Sequence, residues 1–252
     1  MSNIKVSIIM PLGTNRGYFS EALKSSLIQD YNNSEYEIII VNDNVPEITL
    51  EHIVNFLKNY PDRPSVIFYN VNFSSLSKTI NYGIEKARGK YYTIVPDDDR
   101  ILPNKLKDLA EELDKNEYDV VYSLAYRINK DGERTSDEPK LLQYAAKHNI
   151  IEWKHIVKGD GLFVNGISTM YTKESSRKIG HWDENLLRAE EWELHLRFLK
   201  MGYKIKFVEK YTTEYRIHGY NKSKRRGSVE GAQQLKYIYK KLDIGEKKWK
   251  LV

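Results

Sequence analysis

Residues 81–99 read N-Y-G-I-E-K-A-R-G-K-Y-Y-T-I-V-P-D-D-D, a helical pattern that runs into a strand pattern and ends on three acids. Apolar and small residues recur at helical spacing up to residue 87. The apolar run 91–95 then has the composition of a buried strand, which Pro96 ends. This stretch therefore predicts a helix followed by a strand whose carboxyl end presents three carboxylates.

The preceding residues repeat the same alternation of strand and helix. Such repeated units predict an α/β fold, with a mostly parallel central sheet and helices on both faces. Ligands collect at the carboxyl ends of the strands in such sheets, so the polar loops 12–16, 42–44 and 97–100 are expected to meet in one crevice. The predicted strands are 6–10, 36–41 and 66–69, and the predicted helices are centred on Leu23, on Val54 and on Ile80, the last capped by Ser74 or Ser75.

The second half of the chain is less regular. Its glycines between residues 159 and 166 permit close backbone approach and are expected to line an acceptor cleft. No segment has the composition of a linker, so we predict one domain over residues 1–226, with a nucleotide-binding half (1–104) and an acceptor half (105–226). A basic helical tail is predicted over residues 227–252. The predicted strands are 120–126, 167–171, 204–208 and 212–217, and the predicted helices are 190–201 and 228–242.

The composition excludes several classes of protein. The 252 residues are 40% hydrophobic and 30% charged, which is typical of a globular domain. No apolar run reaches the roughly 20 residues that cross a bilayer, and the chain does not begin with a signal-peptide pattern. Because the chain has no cysteine, it forms neither disulfides nor a thiolate metal site. These features favour a cytoplasmic protein.

The net charge of +5 is unevenly distributed. Residues 204–252 contain 14 lysine and arginine residues against 5 aspartate and glutamate residues. A basic segment of this kind indicates an anionic partner such as phosphate groups, an acidic glycan, a lipid surface or nucleic acid. For the tail, docking on its own domain or a peripheral membrane contact is favoured over nucleic acid.

The adjacent carboxylates of Asp97, Asp98 and Asp99 point most directly to chemistry. They repel one another, and their burial without a partner would be costly. A hard divalent cation bound to phosphate oxygens would explain three acids at the end of a buried strand. An acidic turn that caps the helix beginning near Lys105 is the alternative.

Further motifs follow the opening strand in a fixed order. They are E-I-I-I-V-N-D-N at 37–44, N-Y-G-I-E-K-A-R-G-K-Y at 81–91, P-D-D-D-R-I-L-P at 96–103, G-H-W-D-E-N-L at 180–186, E-E-W-E-L at 190–194 and Y-R-I-H at 215–218. In this order and spacing they resemble the family 2 glycosyltransferases with the A-type (GT-A) fold. The resemblance implies a Rossmann-like fold and an inverting transfer of a sugar. The implied donor is a sugar linked to a nucleotide diphosphate, with a UDP-sugar favoured. The implied acceptor is a hydroxyl group of a glycan or glycoconjugate.

The resemblance also implies site residues, motif by motif. Bound Mn²⁺ or Mg²⁺ would neutralise the departing diphosphate. Glu191 is the implied general base, with Glu190 orienting it or contacting the acceptor, although acids near a helix start are also favoured by the helix dipole. The implied metal ligands are Asp98, Asp99 and His218, and the implied donor contacts are Pro11, Asp43, Lys78, Asp97, Asp98 and Arg216.

The chain departs from the family pattern at three positions. Glu191 stands where the family has aspartate, and Asn42 replaces the first acid of the D-D-G turn. Ile80 replaces an arginine, whose charge Lys78 would supply instead.

Two other classes of function stay open. A sugar nucleotidyltransferase shares this architecture, but residues 12–17 match its glycine-rich basic loop poorly. A catalytically weak or inactive protein that binds glycans or nucleic acid would result if the longer side chain of Glu191 misplaced the base.

Overall fold

The structure is a computed structural model, and it describes residues 4–136, 148–157, 164, 166–219, 221 and 229–244. The strands are β1 (Val6–Leu12), β2 (Tyr36–Asp43), β3 (Ser65–Val71), β4 (Tyr91–Ile94), β5 (Arg100–Ile101), β6 (Val120–Ile128), β7 (Arg134–Ser136), β8 (Ile150–Ile151), β9 (Thr169–Thr172) and β10 (Ile205–Arg216). The helices are α1 (Phe19–Leu27), α2 (Leu50–Leu57), α3 (Leu76–Lys86), α4 (Lys105–Leu113), α5 (Trp153–Val157), α6 (Lys173–Ile179), α7 (Glu190–Lys200) and α8 (Val229–Lys241).

One sheet has the strand order β3-β2-β1-β4-β9-β6-β10-β5, and β7 and β8 pair with β6 and β10. Strands β3, β2, β1 and β4 are parallel, with Ile8 of β1 opposite Ile38 on one side and Thr93 on the other. Ile8 and Met10 pack with α1, α2 and α4, whereas Ile9 packs with α3 and α7 on the opposite face. The predicted α/β fold, with helices on both faces of the sheet, is therefore confirmed.

The connection between α3 and β4 requires a glycine at position 89. A Cβ atom on Gly89 would lie 2.7 Å from the backbone nitrogen of Ser7 and 2.7 Å from the carbonyl oxygen of Tyr91. Both neighbours are backbone atoms and cannot rotate away, so only glycine fits this approach. The close contact seats the end of α3 directly on β1.

The second half differs from its prediction in two places. The two stretches predicted at 204–208 and 212–217 form the single strand β10, which changes register against β6 between Val208 and Tyr211. The strand predicted from Ile167 begins only at Thr169, because Gly166–Ser168 forms a 3-10 turn. Strand β9 then runs antiparallel between β4 and β6, so the sheet is mixed in this half.

Helix α8 packs against α7. Its Ile238 and Leu242 are buried in the same core as the apolar face of α7. Lys241 Nζ lies 2.7 Å from Asp183 Oδ2 and 2.8 Å from Glu193 Oε1. The described part of the tail is thus docked on its own domain, whereas residues 222–228 and 245–252 lie outside the described residues. Within the described ranges, each helix is too short or too polar to cross a membrane.

Candidate active site

The three acids lie directly after β4, at the carboxyl end of the parallel strands. The side chains of Asp97 and Asp99 are buried, and that of Asp98 is partly exposed. Arg16, from the loop after β1, approaches from the side of α1. Its Nη1 atom lies 3.4 Å from Asp97 Oδ1 and 3.7 Å from Asp98 Oδ2. Two of the three loops expected to share a crevice therefore meet at this corner.

His218 reaches the same corner from the end of β10. Its Nε2 atom lies 3.0 Å from Asp98 Oδ2, and its ring stacks on Tyr18 with a centroid distance of 5.9 Å. Asn221 fixes the loop, because its Oδ1 accepts a hydrogen bond from His218 N at 2.6 Å and its Nδ2 donates to Arg216 O at 2.9 Å. Asp98 and His218 are thus in contact although they lie 120 positions apart in the sequence.

Asp99 faces away from this pair. Its Oδ1 atom accepts a hydrogen bond of 2.7 Å from the backbone nitrogen of Arg216. Among the described residues, no group of three or more histidine, aspartate or glutamate side chains is arranged to hold a metal ion. Of the three metal ligands implied by the resemblance, the structure therefore brings Asp98 and His218 together and uses Asp99 to anchor β10.

Arg216 lies beneath the corner, with its side chain fully buried. Its Nε donates to Asp98 O at 2.8 Å, its Nη2 lies 2.7 Å from Glu21 Oε2, and the guanidinium covers the Tyr18 ring at 4.2 Å. A contact with a diphosphate would require the guanidinium to leave these partners. The phosphate contact of Arg216 stays a prediction, and its observed contacts hold the acid loop against α1.

The buried acids have strongly perturbed ionisation. Burial, followed by the nearby Asp98 carboxylate, raises the pKa of Asp97 to about 7. Burial and Asp98 also raise the pKa of Asp99 well above its usual range, against the opposing effect of the hydrogen bond from Arg216 N. A cation bound beside these carboxylates would favour their charged forms.

The other implied donor contacts are spread along the edge of the parallel strands. Pro11 is buried within β1, and Lys78 is exposed in the first turn of α3. Both carboxylate oxygens of Asp43 accept hydrogen bonds, from the backbone nitrogens of residues 73–75 at 2.7–3.1 Å and from Thr79 Oγ1 at 2.9 Å. Asp43 therefore fixes the loop before α3, and its contact with a nucleobase stays a prediction.

Glu190 and Glu191 form the first turn of α7. The residue before them, Ala189, adopts a left-handed conformation with φ of +57°, which is uncommon for a residue other than glycine or asparagine. Glu190 is buried, and Glu191 is partly buried. The left-handed residue turns the chain sharply into α7 and so sets the direction of the two side chains that follow it.

The Gly166–Ser168 turn lies against the Glu191 carboxylate. A Cβ atom on Gly166 would lie 2.3 Å from Glu191 Oε2, so this glycine leaves the space that the carboxylate occupies. The glycines between residues 159 and 166 were expected to line an acceptor cleft. Most of this loop lies outside the described residues, because the structure describes only residues 164 and 166 of it.

His195, one turn further along α7, is a buried neutral histidine. Its Nε2 atom lies 2.8 Å from Tyr171 Oη, and burial lowers its pKa to about 3. An unfolded histidine has a pKa near 6.5, so only the unfolded chain takes up this proton between about pH 6.5 and 3. The contribution of His195 to stability is therefore complete above pH 6.5 and is lost as the pH falls through this window.

Acidification from pH 7 to pH 5 is expected to lower the free energy of unfolding more in the wild type than in His195→Gln, by about 2 kcal/mol. Urea unfolding at the two pH values measures this difference. The comparison uses the change with pH within each protein, so a general loss of stability in the variant does not affect it. Equal pH dependence in the two proteins would show that His195 is not the buried neutral group.

The fold is that of glycosyltransferases with the GT-A architecture. A model of the family described as glycosyl transferase family 2 matches residues 7–180. This match covers more than half of the chain, and the chain belongs to glycosyl transferase family 2.

Individual relatives agree with this assignment. An uncharacterised glycosyltransferase of Methanocaldococcus jannaschii is 26% identical over 204 residues, which are 79% of this chain and 66% of the relative. One of Rickettsia typhi is 25% identical over 225 residues, 84% of this chain and 64% of the relative. The poly(ribitol-phosphate) β-N-acetylglucosaminyltransferase TarS of Staphylococcus aureus is 27% identical over 129 residues, 51% of this chain and 22% of TarS. The chain spans less than two thirds of the length of these curated relatives.

Solved structures share the fold. The S. aureus TarS 1–349 structure in complex with UDP superposes with a TM-score of 0.72 at 18% identity, covering 98% of this chain and 68% of that chain. The mannosyltransferase PcManGT of Pyrobaculum calidifontis, in complex with GDP-Man and Mn²⁺, superposes with a TM-score of 0.73 at 15% identity, covering 96% and 65%.

Three residues at the corner were not singled out from the sequence. Arg16, Tyr18 and Asn221 each contact an acid or His218, as described above. Arg16 had a weak signal, because it is the only arginine in the polar loop after β1. Tyr18 had none, since its contact with His218 joins segments 200 residues apart, and Asn221 lies beyond the last motif, where its contacts with His218 and Arg216 leave no pattern.

Proposed function

We propose that this chain transfers a sugar from a UDP-linked donor to a hydroxyl group of a glycan or glycoconjugate, with inversion at the anomeric carbon. The observation that carries the proposal is the contact between Asp98 and His218 at the carboxyl end of the parallel strands. A partly exposed acid beside a histidine, backed by two further acids and Arg16, is suited to a metal-bound diphosphate. Family membership and the nucleotide-bound structural neighbours support the same reading.

The side chains at the corner fit a divalent ion with two protein ligands. Asp98 Oδ2 supplies a carboxylate oxygen, and His218 Nε2 supplies an imidazole nitrogen. Imidazole suits transition metals, whereas Mg²⁺ prefers oxygen ligands alone, so the pair favours Mn²⁺. Such an ion would supply positive charge to the departing diphosphate.

Glu191 is the proposed general base. Its carboxylate would accept the proton of the acceptor hydroxyl while the hydroxyl oxygen bonds to the anomeric carbon. The bond between that carbon and the diphosphate oxygen breaks, and the diphosphate leaves with the electron pair. One displacement from the face opposite the leaving group inverts the anomeric centre. Arg16, which already contacts Asp97 and Asp98, is placed to meet the diphosphate at this stage.

A thermal-shift screen of UDP- and GDP-sugars, each with and without Mn²⁺, tests the donor and metal parts of the proposal. A true donor stabilises the folded protein by mass action, by about 2.7 kcal/mol at one hundred times its dissociation constant. We expect a UDP-sugar to raise the melting temperature only when Mn²⁺ is present. The absence of any Mn²⁺-dependent shift would overturn the proposal. Binding without hydrolysis or transfer across an acceptor panel would instead identify a binding protein.

A further inference from the structure

Lys105, in the first turn of α4, is a fully buried lysine. Lysine is rarely buried unless its ammonium group is paired, because removing the charge from water is costly. None of the motifs in the sequence accounts for it, and the function proposed above does not use it. Its position therefore calls for a physical reason.

The ammonium group contacts the Gly166–Ser168 turn. Lys105 Nζ donates a hydrogen bond to the carbonyl oxygen of Ile167, in the middle of this turn. Burial lowers the pKa of Lys105 to about 7, and the Asp99 carboxylate acts in the opposite direction by favouring the charged form. Lys105 thus joins α4 to the turn that lies against the Glu191 carboxylate.

Buried hydroxyl groups hold the same turn from the sheet. Ser123 Oγ donates to Ser168 O at 3.2 Å, Ser168 Oγ lies 2.8 Å from Thr213 Oγ1, and Thr93 Oγ1 donates to Thr169 O at 2.7 Å. The first two contacts attach the turn to β6 and β10, and the third attaches Thr169, the residue after the turn, to β4. The carbonyl of Ile167 attaches the same turn to α4, through Lys105.

We propose that Lys105 is a positioning residue that fixes the Gly166–Ser168 turn relative to α4 and thereby places the Glu191 carboxylate opposite the donor. The proposal rests on the function proposed above, because it gives Glu191 the role of base. The coupling follows from two contacts, Lys105 with the turn and the turn with Glu191, where a Cβ atom on Gly166 would collide with the carboxylate.

The test compares Lys105→Met with Lys107→Met. Lys107 is on the same helix but half-exposed, in a weak surface pair with Asp30 at 3.7 Å, so it controls for the substitution itself. Lys105→Met is expected to lower kcat for sugar transfer by about 10- to 100-fold, because small displacements of a catalytic group have effects of this size. The KM for the donor is expected to stay within about threefold of the wild type. In a Glu191→Gln background, Lys105→Met is expected to cause no further loss.

Hydrogen–deuterium exchange supplies a readout that does not depend on activity. Faster exchange is expected at residues 166–172 and 189–193 in Lys105→Met but not in Lys107→Met, with β2 unchanged in both. Unchanged exchange in these segments would overturn the role of Lys105, whether or not the protein transfers sugar. Altered exchange with unchanged kcat would overturn the link to Glu191. If the wild type shows no transfer, the proposed function fails, and the exchange data still decide whether Lys105 holds the turn.

If Lys105→Met does not fold, the kinetic and exchange measurements are made on Lys105→Gln, which keeps a hydrogen-bond donor.

Discussion

Replacing Glu191 with glutamine is expected to lower kcat for sugar transfer by about 10²- to 10⁴-fold, the usual contribution of a general base. Glutamine keeps the size of the side chain and its place against Gly166, but its amide does not accept the acceptor proton. Donor affinity, measured by the Mn²⁺-dependent thermal shift, is expected to stay unchanged. Glu174→Gln is the matched control, because Glu174 is also an acid in the first turn of a helix but is exposed and remote from the acids.

Gly166→Ala tests the position of the Glu191 carboxylate by changing the residue that it packs against. The added methyl group would collide with Glu191 Oε2, which lies at the end of a flexible side chain and moves more readily than the backbone. Transfer is therefore expected to fall while the melting temperature changes little, and the loss should disappear in the Glu191→Gln background. Retained turnover in Glu191→Gln itself would assign the base to another residue.

Asp98→Asn is expected to remove the Mn²⁺-dependent part of the stabilisation by a UDP-sugar and to lower transfer by about 10²- to 10³-fold. Asparagine has nearly the same shape, but it lacks the charge that binds a cation and leaves His218 as the one remaining member of the pair. The measurement is the melting temperature with donor, with and without Mn²⁺. Asp62→Asn, at an exposed acid that contacts Asn33, is the control. An undiminished Mn²⁺-dependent shift in Asp98→Asn would place the ion elsewhere.

The first half of the fold could be predicted because its signals are local. Strands β1, β2 and β4 are buried, mostly apolar runs, and β3 is a partly buried one. The helices between them have their apolar residues at helical spacing. Strand β5 could not be predicted, since its two residues, Arg100 and Ile101, become a strand only by pairing with β10. The start of β9 was misplaced for a similar reason. Ile167 is as apolar as a strand residue, but Gly166 and the surrounding hydroxyl contacts hold it in a 3-10 turn.

The site was predicted in part. A resemblance in motif order could point to Asp98 and His218, because each lies within a recognisable block, and the structure brings them into contact. It could not show that Asp99 accepts a hydrogen bond from the backbone of Arg216, or that the Arg216 guanidinium is fully buried. These facts depend on how β10 lies beside the acid loop. Lys105 illustrates the same limit, because a lysine at a helix start gives no sign in the sequence that it is buried.

The placement of β9 between β4 and β6 affects the order in which the sheet can fold. The four parallel strands β1 to β4 lie within the first 94 residues, but β4 is completed on one side by residues about 80 positions later, with Tyr91 opposite Thr172. Pairings over such separations carry a large loop-closure cost and slow the search for the native arrangement. The first hundred residues therefore leave β4 as an open edge until β9 has been synthesised, and this edge is exposed to mispairing in the nascent chain.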